Sequence, residues 1–160
     1  MLFYPLNTVC RERVSTPALT PNVFIVIAVD VAYLVGQEGI AISDGIYMMD
    51  NMVTKHSSGE GSMQLSTVGN VGWLVGWQAV PVATNAAELK QSVVITGFQV
   101  CDGNVFGQAG FPLQQPGASG WIGQLMYAGT QTYQIQVKVT AGALRPVSYV
   151  INWNATIIAQ

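Results

Sequence analysis

Apolar and polar residues alternate along much of the chain in a pattern that is typical of β-strands. The clearest case is the stretch 133–139, Tyr-Gln-Ile-Gln-Val-Lys-Val, in which every second residue is apolar. Successive side chains of a strand point to opposite faces of the sheet. The pattern therefore predicts a strand with one face in a core and with Gln134, Gln136 and Lys138 on the other face.

A second stretch, residues 23–29, is apolar throughout and reads Val-Phe-Ile-Val-Ile-Ala-Val. A run of this length predicts a buried strand. It is much shorter than the roughly 20 residues that a membrane-spanning helix needs. We therefore expect no insertion into a membrane.

The whole pattern predicts an all-β fold. Eight segments rich in Val, Ile, Thr and aromatic residues are expected as strands: 23–33, 45–54, 61–67, 70–80, 92–101, 120–128, 131–140 and 147–159. No segment has a sustained helical stripe, and the one helix candidate, 86–90, is long enough for a single turn. Strands without crossover helices predict an antiparallel β-sandwich, jelly-roll or immunoglobulin-like, with about eight strands. A closed barrel is the alternative.

The chain has the length of one domain, at 160 residues. Residues 1–22 contain three prolines and lack a clear period, so they are expected to form an extended N-terminal arm. Residues 23–160 are expected to form the sandwich. The chain start lacks the order of charged, apolar and small residues that marks a secretory signal.

Charge is scarce. Asp, Glu, Lys and Arg make up 9% of the residues, and the formal net charge is -2, whereas about 25% charged residues is typical. The surface must therefore consist largely of amides, hydroxyls and glycine. Six basic residues cannot form a patch that neutralises a phosphate backbone, which argues against nucleic acid as a partner.

Catalytic chemistry is poorly supplied. The single histidine, His56, lies beside Lys55 and Ser57 in what is expected to be a solvated turn. The stretch 117–121 departs from the nucleophile-elbow pattern at its fifth residue, and no phosphate-binding loop is present. One histidine and two distant cysteines, Cys10 and Cys101, do not have the spacing of a zinc site. We expect a protein without enzymatic activity, cofactor or metal centre.

Two groups of residues leave a binding role open. Oxygen ligands for calcium are available from Asp44, Asp50, Asp102, Asn51 and Asn104, although these residue types also favour turns. Trp73 and Trp77 are four residues apart, so in one strand they share a face. Such a pair either packs in the core or, if it is exposed, stacks on a sugar ring.

Several segments in order resemble the AidA/PixA family of bacterial inclusion body proteins. The matching segments are Val29-Asp30 at the end of the apolar strand, Gly45–Met49, Ser58–Leu65, Gly69–Trp73 and Tyr149–Ile157. Together they extend over about residues 23–159. The sequence departs from the family pattern at Asn70 and Asn154, where Asp is usual, and at Ala155, where Pro is usual.

The resemblance implies a small β-rich bacterial protein that accumulates in the cytoplasm, in some members as crystalline inclusions, and that is associated with hosts. It carries over no catalytic residue. Our first hypothesis is thus a self-associating homo-oligomer with Gln134, Gln136 and Lys138 at the contacts. The alternative is a carbohydrate-binding sandwich, with or without help from calcium, that binds a glycan through Trp73, Trp121, Asp102 and Asn104.

Overall fold

The computed structural model describes residues 19–37 and 41–160, which form two packed β-sheets. The predicted β-sandwich is confirmed. The elements are β1 (Val23–Val29), α1 (Val31–Val35), β2 (Ile46–Asp50), a 3-10 helix (Val53–Lys55), β3 (Ser66–Gly69), β4 (Leu74–Pro81), β5 (Ser92–Asp102), β6 (Leu113–Gln114), β7 (Trp121–Gln124), β8 (Gly129–Ala141) and β9 (Val147–Ala159). Of the predicted N-terminal arm, residues 1–18 lie outside the described residues.

One sheet has five strands in the order β2-β1-β4-β7-β6, and the other has four in the order β3-β9-β8-β5. Both sheets are mixed rather than purely antiparallel, because β1 pairs with β4 and β3 pairs with β9 in parallel. Parallel neighbours need a long crossover connection. The connection between β1 and β4 is long enough for this, since it includes α1, β2, the 3-10 helix and β3. Within it the chain crosses to the opposite sheet, where β3 lies, and then returns to form β4.

The first predicted strand, 23–33, is wrong in its second half. The strand ends at Val29, and Val31–Val35 form a helix. Asp30 caps this helix, because its side chain accepts a hydrogen bond from the backbone N–H of Tyr33 at 3.0 Å. With five residues, α1 is the longest helix in the described part of the chain, and no helix there is long enough to cross a membrane.

The core lies between the two sheets and follows the alternation read from the sequence. Ile135 and Val137 in β8 are buried, while Gln136 and Lys138 between and beside them are exposed. The largest fully buried side chains are Trp77, Tyr133, Phe106, Ile25, Ile27, Ile46, Met48, Leu65, Ile95, Leu125, Ile135 and Ile157. Both sheets contribute to this set, so the sandwich has one continuous core.

Candidate functional site

The outer face of the four-stranded sheet is polar but almost without charge. Strands β3, β8 and β9 contain one charged residue, Lys138, and β5 contains only Asp102, at its end. The outward positions of the two long central strands carry mainly Thr, Gln, Asn and Ser. This sheet therefore presents hydrogen-bonding groups with very little electrostatic repulsion.

The three residues predicted as contacts lie together on this face. Gln134 is opposite Asn154 in the β8–β9 pair, and its side-chain NH2 group donates to the side-chain oxygen Oδ1 of Asn154 at 3.4 Å. Gln136 accepts a hydrogen bond from the hydroxyl of Thr96 at 2.8 Å. These amides are thus partly bonded within the sheet.

Five aromatic side chains form a cluster between the sheets. Trp77 lies near its centre, with ring centroids 5.0 Å from Phe98, 5.8 Å from Phe106 and 6.0 Å from Tyr133. The indole N–H of Trp77 donates to the Tyr133 hydroxyl at 3.2 Å. Burial raises the pKa of Tyr133 well above its ordinary value. Trp77 is therefore a core residue.

The fifth member, Trp121, lies at the edge of the cluster and opens onto a surface groove of about 620 Å³. Its ring centroid is 5.2 Å from that of Phe98, and its indole N–H donates to the carbonyl oxygen of Ile95 at 3.2 Å. These contacts hold the half-buried indole in place. The groove is lined by Leu19, Pro21, Phe24, Gly76, Trp77, Gln78, Gln115, Pro116, Ala118, Ser119, Gly120, Trp121 and Ile122, none of which is charged.

Of the four residues predicted to bind a glycan, only Trp121 lines this groove. Trp73 lies just before β4 and packs against the core, and its carbonyl accepts from the N–H of Leu125. Asp102 is the last residue of β5 and Asn104 lies two residues beyond it, and both are exposed. Sequence reasoning missed Phe24, Gln78 and Gln115, because they come from separate strands and a loop and share no motif.

The carboxylates that were candidates for calcium bond to nearby backbone. Asp44 accepts from the N–H of Gly45 at 2.8 Å, and Asp50 accepts from the N–H of Met52 at 2.7 Å. Asp102 accepts from the N–H of Gly103 at 2.9 Å. The carboxylate of Glu60 accepts from the N–H of Asp50, and its pKa is raised by burial and by the charge of Asp50. No group of three metal-ligating side chains occurs within residues 19–37 and 41–160.

The fold is similar to that of a solved structure, an inclusion body protein (PixA) from Burkholderia cenocepacia J2315. The match has a TM-score of 0.70 and covers 91% of this chain and 99% of that chain, with 14% sequence identity. At this identity the likeness shows a common fold. No curated protein matches the sequence.

A family model also matches the chain. Its description is Domain of unknown function (DUF8788), and the match extends over residues 21–144. This span begins just before β1 and ends in the loop between β8 and β9, so it includes most of both sheets and the groove. Because the match covers well over half of the sequence, the chain belongs to the DUF8788 family.

Proposed function

We propose that this protein is a non-enzymatic protein that self-associates in the bacterial cytoplasm, as inclusion body proteins do. The observation that carries the proposal is the near absence of charge from the four-stranded sheet, whose strands contain only Lys138 and Asp102 as charged residues. The fold that this chain has in common with an inclusion body protein supports it.

The physical reason is that charge keeps soluble proteins apart. A surface with a substantial net charge repels its copies, whereas a net charge near zero promotes association. Here the formal net charge is -2 over 160 residues. Copies of the chain can therefore approach closely, and the side chains of Gln134, Gln136 and Lys138 can then hydrogen-bond across the contact.

We expect Asn152→Lys to weaken assembly, because it places a second cation on the same face as Lys138. Asn152 is two residues from Val150, which is the cross-strand partner of Lys138. Lys138→Gln should have the opposite effect, since it removes the only cation of the face. Light scattering over a range of protein and salt concentrations measures both. The control is Val53→Lys, which adds a cation at an exposed position in the 3-10 helix. A wild-type chain that stays monomeric at every concentration contradicts the proposal.

A second function, binding of a neutral saccharide, is favoured by the groove beside Trp121. A fixed indole and Phe24 offer apolar surface, and Gln78, Gln115 and Ser119 offer neutral hydrogen-bonding groups. Sugars combine an apolar face with hydroxyl groups and carry no charge, which suits this lining. Asp102 and Asn104 do not line the groove, so calcium has no role in this version of the hypothesis.

A glycan array with and without calcium tests this second function, and we expect the same neutral saccharide to bind in both conditions. Gln115→Ala should weaken its binding roughly two- to tenfold, the range expected for one lost hydrogen bond. Gln99→Ala is the matched control, because Gln99 is exposed on the other sheet. A blank array, or equal losses in both variants, rules out the groove as a saccharide site.

A further inference from the structure

The outer face of the five-stranded sheet is mostly apolar, unlike that of the four-stranded sheet. Three rows of outward side chains cross its strands in register: Phe24, Gly76, Ile122 and Leu113; Met49, Val26 and Gln78; and Tyr47, Ala28 and Val80. Among these, Phe24 is 38% exposed, Met49 43% and Leu113 64%. We refer to these ten residues as the apolar face.

The sequence of β1 is consistent with a covered face. All seven of its residues are apolar, and strands of this kind are usually buried on both sides. The described residues bury the side that bears Val23, Ile25, Ile27 and Val29 almost completely, whereas the outward side is covered in part, by Pro21 against Gly76. On the other side, Phe24 remains exposed and Val26 half-exposed. A contiguous apolar surface of this kind marks an interaction site.

We propose that the apolar face is the contact through which two copies of this chain pair. This inference rests on the proposed self-association and names the surface responsible for its first step. None of the ten residues is charged, so a two-fold axis through the face brings no like charges together. The one charged residue in these five strands, Asp50, is paired with the inward-facing Ile25.

The width of the face favours a second sheet over a single chain segment as the occupant. Five strands about 4.8 Å apart form a surface about 19 Å wide, and two sheets packed face to face cover such a surface completely. A single extended segment covers only a strip about one strand wide. A two-fold contact uses the same surface on both copies and admits no third copy. The outer face of the four-stranded sheet therefore remains available to join pairs into a larger assembly.

The test compares Met49→Lys with Val150→Lys in the full chain. Both replace an exposed apolar residue with a cation, on the apolar face and on the outer face of the four-stranded sheet respectively. We expect Met49→Lys to raise the dissociation constant of the pair about tenfold or more, because each copy would bury an unpaired cation in the contact. Val150→Lys should leave the pair intact and weaken only the larger assembly. Analytical ultracentrifugation measures both, and circular dichroism checks that each variant is folded.

The outcomes separate this inference from the proposed function. If Met49→Lys pairs as tightly as the wild type, or if Val150→Lys is the variant that dissociates, the apolar face is not the contact, although self-association stands. A wild-type chain that is monomeric at all concentrations overturns both. Four residues of the apolar face also line the groove, namely Phe24, Gly76, Gln78 and Ile122, so a saccharide bound there should compete with pairing.

Discussion

Replacing Trp77 with alanine should lower the free energy of unfolding by about 3–5 kcal/mol, the range for a fully buried large aromatic residue. Trp77 is 1% exposed and contacts three aromatic rings from separate parts of the chain. The substitution leaves a cavity between the sheets. It also removes the hydrogen bond that the Trp77 indole donates to the buried hydroxyl of Tyr133.

Thermal and urea unfolding measure this effect. For a domain of this size, each 1 kcal/mol corresponds to about 2–4 °C, so the melting temperature should fall by about 10 °C. Trp73→Ala is the matched control, because Trp73 lies just before β4 and is only half-buried. Equal losses in the two variants would show that the aromatic cluster is not the centre of the core.

Gly103→Ala should destabilise the fold by about 2–5 kcal/mol. Gly103 has a φ of 85°, and a Cβ atom there would overlap the carbonyl oxygen of Thr130 and lie 2.8 Å from the Cα of Gln131. The left-handed conformation costs about 1–2 kcal/mol in an alanine, and displacing the β8 backbone adds about 1–3 kcal/mol.

Gly117→Ala separates these two contributions. Gly117 also has a positive φ, 74°, but a Cβ atom there has no neighbour within 4 Å. We expect this variant to lose only the conformational part, about 1–2 kcal/mol. Urea unfolding of both variants gives the comparison. If both variants lower the free energy of unfolding equally, the close approach of the β8 backbone to position 103 contributes nothing to the loss of stability in Gly103→Ala.

The strongest pattern in the sequence predicted its element correctly, whereas the end of the first predicted strand was wrong. The alternation over residues 133–139 predicted both the strand and its buried face, because one side of β8 meets the core along its whole length. The prediction for residues 23–33 did not recognise Asp30 as a helix cap. A five-residue helix is too short to show a period, so only the hydrogen bond to Tyr33 reveals it.

The candidate surfaces depended on pairing that a single sequence does not contain. The apolar run of β1 predicted a buried strand, but not that its outward side chains lie beside Met49 and Gln78, which are more than twenty residues away in the chain. The groove likewise combines Phe24 with Trp121. Predictions from spacing cannot bring such residues together, because strand order and register are set by packing of the whole core.

Local pattern and composition thus determined an all-β chain with few charges, the two faces of its clearest strand and a poor supply of catalytic groups. These properties follow from each residue and its near neighbours. The tertiary structure alone decided the two parallel pairs, the burial of Trp77, the separation of Trp121 from Asp102 and the apolar outer face. They arise from contacts between strands far apart in the sequence, where the free energy of burying the shared core selects one arrangement among many.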